Sequence, residues 1–224
     1  GIRDYKVTGV QTCALPISIY HLIVDQSGSM GDCVGTTING FNEQVQKINQ
    51  LQTEFPDQEI TIGLTTFNNR VYHHYFQQAP QLVNQLTPAT YVPMGSTALY
   101  DGIGEVVSTI ETIIRETSLQ QDTTAVIVVI TDGYENASCN YQLIDIKSMI
   151  TRLEATGKWT FSFLGATLDA VQVAERMSFK RKNSAYFEKT AIHQDAFEKV
   201  TTGLHGYLFK KRIGKDLDNL YDSE

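Results

Sequence analysis

Residues 125–130, Ala-Val-Ile-Val-Val-Ile, form the longest unbroken apolar run in the chain, and Thr-Asp-Gly follows at once. A run this short does not span a bilayer. Rich in β-branched residues and with no polar member on either alternate set, it suits a strand buried on both faces, as in a parallel sheet covered by helices on each side. The rest of the chain must then supply those helices and the neighbouring strands.

It does so in alternation. From Ser18 onward, short β-rich runs alternate with longer stretches of helical spacing, the pattern of βαβ units. "IYHLIV" at 19–24 reads as the first strand. Thr36 and Thr37 can cap a helix whose apolar stripe runs through Ile38, Phe41, Val45 and Ile48. "EITIGLTTF" at 59–67 is a second strand, and "NNR" turns so tightly into "VYHHYF" that the partner must be antiparallel. A loop rich in Thr, Pro and Gly leads to a strong helix from about Ala98 with Leu99, Ile103, Val106, Val107 and Ile110 on one side. After the central run come a helix with Leu143, Ile146 and Ile150, the strand "WTFSFLG", a short helix, the strand "SAYFE" and a last helix with Phe197, Val200, Leu204 and Leu208. The expected fold is α/β: a Rossmann-like, doubly wound, mostly parallel sheet with one antiparallel edge strand and helices on both faces.

In such sheets ligands bind beyond the carboxyl ends of the strands, where strand order reverses. Two of the most apolar strands end there in an aspartate, Asp25 after "LIV" and Asp132 after "VIVVIT". Ser27 and Ser29 follow Asp25 on alternate positions, and Thr97 sits where a Gly-containing loop meets a helix. Two carboxylates and three hydroxyls are all hard oxygen donors, which suit magnesium or manganese better than zinc.

These residues carry a resemblance. "DQSGSM", "MGSTALYDG" and "VITDG", in that order, are similar to the von Willebrand factor type A domain with its metal-ion-dependent adhesion site. That family's pattern is Asp-x-Ser-x-Ser, a distant Thr and a distant Asp, matched here by Asp25, Ser27 and Ser29, by Thr97 and by Asp132. The resemblance spans roughly residues 18–212. It implies a divalent ion, Mg2+ or Mn2+, at the top of the sheet, held directly by only some of these side chains, with the second aspartate often acting through water. Neutral hydroxyls leave the ion's charge largely unquenched, so a carboxylate from a protein partner can complete its coordination. The implied function is a metal-dependent, adhesion-type protein-binding module and not an enzyme. Some relatives instead recruit substrates to an ATP-driven remodelling or chelatase machine, which is the alternative.

A Mg-dependent phosphatase of the haloacid dehalogenase type competes less well. It needs a second aspartate two residues after the first, and position 27 is Ser. No phosphate-binding P-loop appears either. His73 and His74 are adjacent on a strand and face opposite ways, so they cannot share an ion. Asp101 is read as a favourable charge at a helix N-terminus, and Ser96 as shaping its loop. Tyr134, Glu135 and Tyr141 are candidates for a rim that meets the partner, and "NAS" at Asn136 is a chance-prone glycosylation match.

The formal charge of −7 argues against nucleic acid as main partner. The basic clusters, 180–182 and 210–212, read as a solvated loop and a helix end. No membrane insertion is expected. "VTGVQTCALPI" at 7–17 resembles the in-frame translation of a sequencing-library adapter, so residues 1–17 are expected to be non-native and the true start to be missing. Setting Cys13 aside with that segment, Cys33 and Cys139 are expected to be shielded thiols in a reducing compartment, and the protein to be bacterial and cytoplasmic. Residues 213–224 form an acidic tail, expected to fray.

Overall fold

The computed structural model describes residues 15–116 and 122–221; residues 1–14, most of the adapter-like segment, lie outside them. Six strands form one sheet: β1 (Ile17–Asp25), β2 (Glu59–Phe67), β3 (Val71–Gln78), β4 (Thr123–Thr131), β5 (Trp159–Gly165) and β6 (Ser184–Tyr186). Their order is β3-β2-β1-β4-β5-β6, with every neighbouring pair parallel except β2 and β3. The edge strand reversed by the tight turn is therefore β3, as expected. Ile17, the last residue of the adapter-like stretch, is the first residue of β1 and pairs with Glu59 and Thr123.

Helices α1 (Val34–Glu54) and α5 (Lys199–Arg212) cover one face; α2 (Leu99–Glu116), α3 (Leu143–Glu154) and α4 (Ala170–Arg176) cover the other. The alternation of side chains along each strand divides the core between the two. From β4, Val126, Val128 and Ile130 join Phe41, Ile48, Val200 and Leu204. Ala125, Ile127 and Val129 join Ile103, Val107, Ile146 and Ile150. That is why the central run has no polar member: neither face meets water.

Three sequence expectations need correction. Thr36 and Thr37 lie inside the first turn of α1 instead of capping it. A 3-10 turn, Gly28–Cys33, feeds directly into the helix, and the Thr36 hydroxyl donates back to Cys33 O at 2.9 Å. The C-terminal tail is not frayed as far as Tyr221. Leu220 is buried, the Asn183 side chain bonds the backbone of Asp218 and Leu220, Tyr221 meets the Ser162 hydroxyl at 2.5 Å, and Lys180 and Lys182 pair with Asp218. The short basic cluster thus anchors the acidic segment. Of the two thiols, Cys33 is buried but Cys139 is exposed.

His21 shows what a buried polar group requires in this core. Its ring is fully buried, bonds Thr65 Oγ1 through Nε2 at 2.9 Å and leans on Phe76 with ring centroids 4.8 Å apart. It fits only because residue 63 is glycine, since a Cβ there would lie 2.0 Å from His21 Nδ1. Burial, assisted by the neighbouring His73, depresses the imidazole from 6.5 to about 3. The folded state thus refuses a proton that the unfolded chain accepts. The contribution of His21 to stability is present above pH 6.5 and is lost progressively as pH falls from 6.5 towards 3. The loss is on the order of 5 kcal/mol. Urea titrations at pH 7 and 4 should show this slope in the wild type and a flatter one in His21→Leu; equal slopes would remove His21 as the cause.

Candidate metal centre

Strand order reverses between β1 and β4, and both strands deliver an aspartate to that point: Asp25 as the last residue of β1, and Asp132 one residue past β4. Asp25 is fully buried. Its Oδ1 accepts the backbone N–H of Ser27 at 2.7 Å, and its Oδ2 accepts the Thr131 hydroxyl at 2.5 Å. The Tyr91 hydroxyl fixes the backbone by donating to Asp25 O at 2.6 Å. The Ser27 and Ser29 hydroxyls are 3.1 Å apart, and Ser29 donates to Asp132 Oδ1 at 2.6 Å. The 3-10 turn after β1 therefore carries Ser29, with Ser27 bonded behind it, to the second aspartate, whose side chain is only 2% exposed.

Thr97 arrives from the other side. Its N–H donates to Asn136 Oδ1 at 2.8 Å and its carbonyl accepts Asn136 N–H at 3.0 Å, which ties the start of α2 to the loop after β4. A Cβ on Gly133 would lie 3.0 Å from Thr97 Oγ1 and 3.7 Å from Asp25 Oδ2, so this glycine keeps open the space between them. The loop before Thr97 is pinned to the serine turn by Gly28 N to Gly95 O at 3.1 Å and Met94 N to Gln26 O at 2.9 Å. Gly95 has a φ of +72°, and a Cβ there would lie 2.6 Å from Asn69 Oδ1. All five residues singled out in the sequence thus converge at one end of the sheet.

The charge balance is unusual. Burial raises the Asp25 carboxyl from 3.8 to about 6, against the lowering pull of its bonds to Thr131 and Ser27, and the charge of Asp132 adds to the rise. One cation already answers this field: Lys189 Nζ lies 2.7 Å from Asp132 Oδ2, 2.7 Å from Asp32 Oδ1 and 2.5 Å from Ser29 O. Burial pulls the Lys189 ammonium down, but its bonds to Asp132 and Asp32 outweigh this and hold it above its ordinary value. Among the described residues no three His, Cys, Asp or Glu side chains gather as a metal-binding group. The cluster consists instead of two carboxylates and three hydroxyls, with a cation drawn onto it. The hard oxygen donors suit a hard divalent ion, and the Lys189 ammonium shows that this end of the sheet draws a cation.

Sequence reasoning missed several supporting residues. Lys189 lies on the connection from β6 to α5, far from every motif. Glu135 is no rim residue: its carboxylate accepts the N–H groups of Tyr100, Ala137 and Ser138. Asp101 is more than a charge at a helix end, because it accepts the N–H groups of Cys139, Asn140 and Tyr141. Tyr141 packs against Gly104 and meets the Ser108 hydroxyl at 3.0 Å. Of the three rim candidates only Tyr134 is exposed, at 53%, with its hydroxyl on Asp169. His73 and His74 do diverge, the first meeting Thr65 and Glu105 and the second Thr66. Asn136, matched in the sequence as a glycosylation site, uses its side chain internally on Thr97.

The sequence model of the von Willebrand factor type A domain matches residues 21–201. A search of curated protein sequences gives no match. Among solved structures, the PilB minor pilin from Streptococcus sanguinis is similar with a TM-score of 0.62 at 11% identity, covering 87% of this chain and 62% of that one. The vWF domain of the type V pili tip protein Mfa5 from Porphyromonas gingivalis gives 0.58 at 10% identity, covering 87% and 96%. The ArnB paralog VWA2 from Sulfolobus acidocaldarius gives 0.55 at 14% identity, covering 83% and 45%. This chain thus spans less than two thirds of the PilB and VWA2 chains and nearly all of the Mfa5 domain. At these identities the likeness is one of fold.

Proposed function

Because this chain belongs to the von Willebrand factor type A domain family, we propose that Asp25, Ser27, Ser29, Thr97 and Asp132 hold one Mg2+ or Mn2+ ion and that a partner protein docks there through a carboxylate. The observation that carries this is the bonded series Ser27–Ser29–Asp132 beside buried Asp25, which gathers two carboxylates and two serine hydroxyls at the switch point of the sheet. A buried carboxylate without a full counter-charge destabilises a fold unless something binds it. When bound, the ion supplies an electrophilic centre for an acidic group of the partner. The chain's own residues hold the ligand set in place: Thr131 and Ser27 orient the Asp25 carboxylate, Asn136 positions Thr97, and Tyr91 fixes the end of β1.

The same features favour a binding module over an enzyme. Ser27 occupies the position where a phosphatase of the competing type needs its acid/base, and its hydroxyl is engaged by Ser29. The free thiols of Cys33 and Cys139 fit a reducing compartment, which supports a cytoplasmic location. No helix among the described residues is long and apolar enough to cross a membrane.

Calorimetric titration of Mg2+ and Mn2+ into chelator-stripped protein tests the proposal. One saturable site is expected in the wild type and none in Asp25→Ala. Thr97→Val keeps the shape and the backbone bonds to Asn136 but removes the hydroxyl, so affinity should fall about tenfold, the equivalent of one ligand interaction of ~1.4 kcal/mol. Binding that survives in Asp25→Ala would refute the assignment. A partner found by metal-dependent capture should be released by chelator and lost with Asp25→Ala.

A further inference from the structure

Lys189 reaches the site on a rigid arm. It begins a 3-10 turn, Lys189–Ala191, and the next residue, Ile192, is fully buried. A π-helical turn, His193–Glu198, then places Phe197 so close to α1 that a Cβ on Gly40 would lie 2.4 Å from its ring. His193 pairs with Glu43 of α1 at 2.8 Å, and Glu188 N–H is held by Asp195 at 3.2 Å. The lysine is thus tethered at both ends of its turn, and its ammonium is directed at the one carboxylate that also accepts from Ser29.

We propose that Lys189 is a built-in competitor of the metal: its ammonium stands in for the ion on Asp132, and a divalent ion binds only as Lys189 leaves that carboxylate. This rests on the metal-site assignment above. The geometry leaves little room for both. Asp132 presents Oδ1 to Ser29 and Oδ2 to Lys189, so both of its oxygens are engaged and its side chain is almost wholly buried. An ion taking either oxygen must sit a few ångströms from a like charge, on a carboxylate whose own side chain is almost wholly buried. Lys189 also holds Ser29 O, so the same ammonium braces the serine turn. Asp32, 68% exposed, pairs with Lys189 from the solvent side and offers the displaced ammonium a partner outside the site. Metal occupancy is therefore coupled to the connection between β6 and α5, and the rim next to the ion changes its charge distribution and its mobility when the ion arrives.

The test compares wild type, Lys189→Met and Lys189→Arg as full chains stripped of metal. Titration with Mn2+ and Mg2+ should show Lys189→Met binding about tenfold tighter or more, because a like charge has gone, whereas Lys189→Arg keeps the charge and stays near the wild type. In chelator, Lys189→Met should melt below the wild type, since Asp132 has lost its counter-charge. Amide exchange at residues 188–192 of the wild type should quicken when metal is added. Unchanged or weaker metal binding in Lys189→Met, with the wild type binding normally, overturns the competitor role and leaves the metal site standing. Binding by the variant but not the wild type is the strongest support. Binding by neither overturns the competitor together with the metal site.

Discussion

Asp25→Asn is expected to stabilise the metal-free protein at neutral pH while abolishing metal binding. The carboxyl titrates near 6 in the fold against an ordinary 3.8, chiefly because it is buried. Between those values the folded state holds a proton that the unfolded chain has released. Stability therefore declines as pH rises from 3.8 to 6, and above 6 the full cost of an ionised, buried Asp25 stands. That cost is about 2–3 kcal/mol at pH 7.5, or roughly 5–10 °C in melting temperature for a chain of this size. An asparagine avoids it. Its carbonyl accepts from Ser27 N–H, and its amide can donate to the Thr131 hydroxyl, so both native partners are kept. Thermal melts in chelator should thus show the variant above the wild type at pH 7.5, with the gap closing below pH 5. Mn2+ at a thousand times Kd should reverse the order, because binding then adds about 4.1 kcal/mol to the wild type alone, more than the cost of the ionised Asp25. A variant less stable at every pH would mean that Asp25 serves the fold through its bonds and not as a charge kept for a ligand. The His21 term has the opposite sign over the same pH range, so the comparison must be made between variants at each pH and not along one curve.

The fold was legible because its dominant signals are local or periodic. The run 125–130 announces a strand covered on both sides, and β4 lies between β1 and β5. The turn 68–70 is too short for anything but an antiparallel pair, and β3 is antiparallel to β2. The five candidate site residues were legible for a related reason: each stands at or just beyond the end of a strand or at the start of a helix, positions that the topology brings together whatever the packing between. Lys189 had no such signal. It is a single lysine in "FEKTAIH", brought to Asp132 by the path from β6 to α5, which no spacing encodes. The tail was misread for the opposite reason. Its acidic composition suggests a solvated end, but Leu217, Leu220 and Tyr221 sit at intervals that let one side pack on β5 and α5 while Asp218 meets the lysines of residues 180 and 182. Composition averages over a segment, whereas burial acts on individual side chains.

Asp101→Ala is expected to be the most damaging single change near the site, although Asp101 touches none of the five candidate residues. Its Oδ1 accepts from Asn140 N at 2.9 Å and Tyr141 N at 2.8 Å, and its Oδ2 from Cys139 N at 2.9 Å. In return the loop satisfies the open end of α2: Tyr100 N donates to Glu135 and Asp101 N to Ser138 Oγ. The helix start and the loop after β4 therefore cap each other; Thr97, just before the helix, is bonded to Asn136 of the same loop that Asp132 opens. Removing the carboxylate leaves three amides without their charged acceptor, a loss of about 3–4 kcal/mol, or roughly 10 °C. Because the joint sets the separation of Thr97 from Asp132, Mn2+ affinity should fall with it, by about tenfold for a ligand set loosened on one side. Asp101→Asn keeps an oxygen for Asn140 and Tyr141 but turns an amide toward Cys139 N–H, so it should fall between the two in both melting temperature and affinity. The pairing of the two losses is what identifies the role. Weakened metal binding at unchanged stability would instead assign Asp101 a direct electrostatic part in holding the ion.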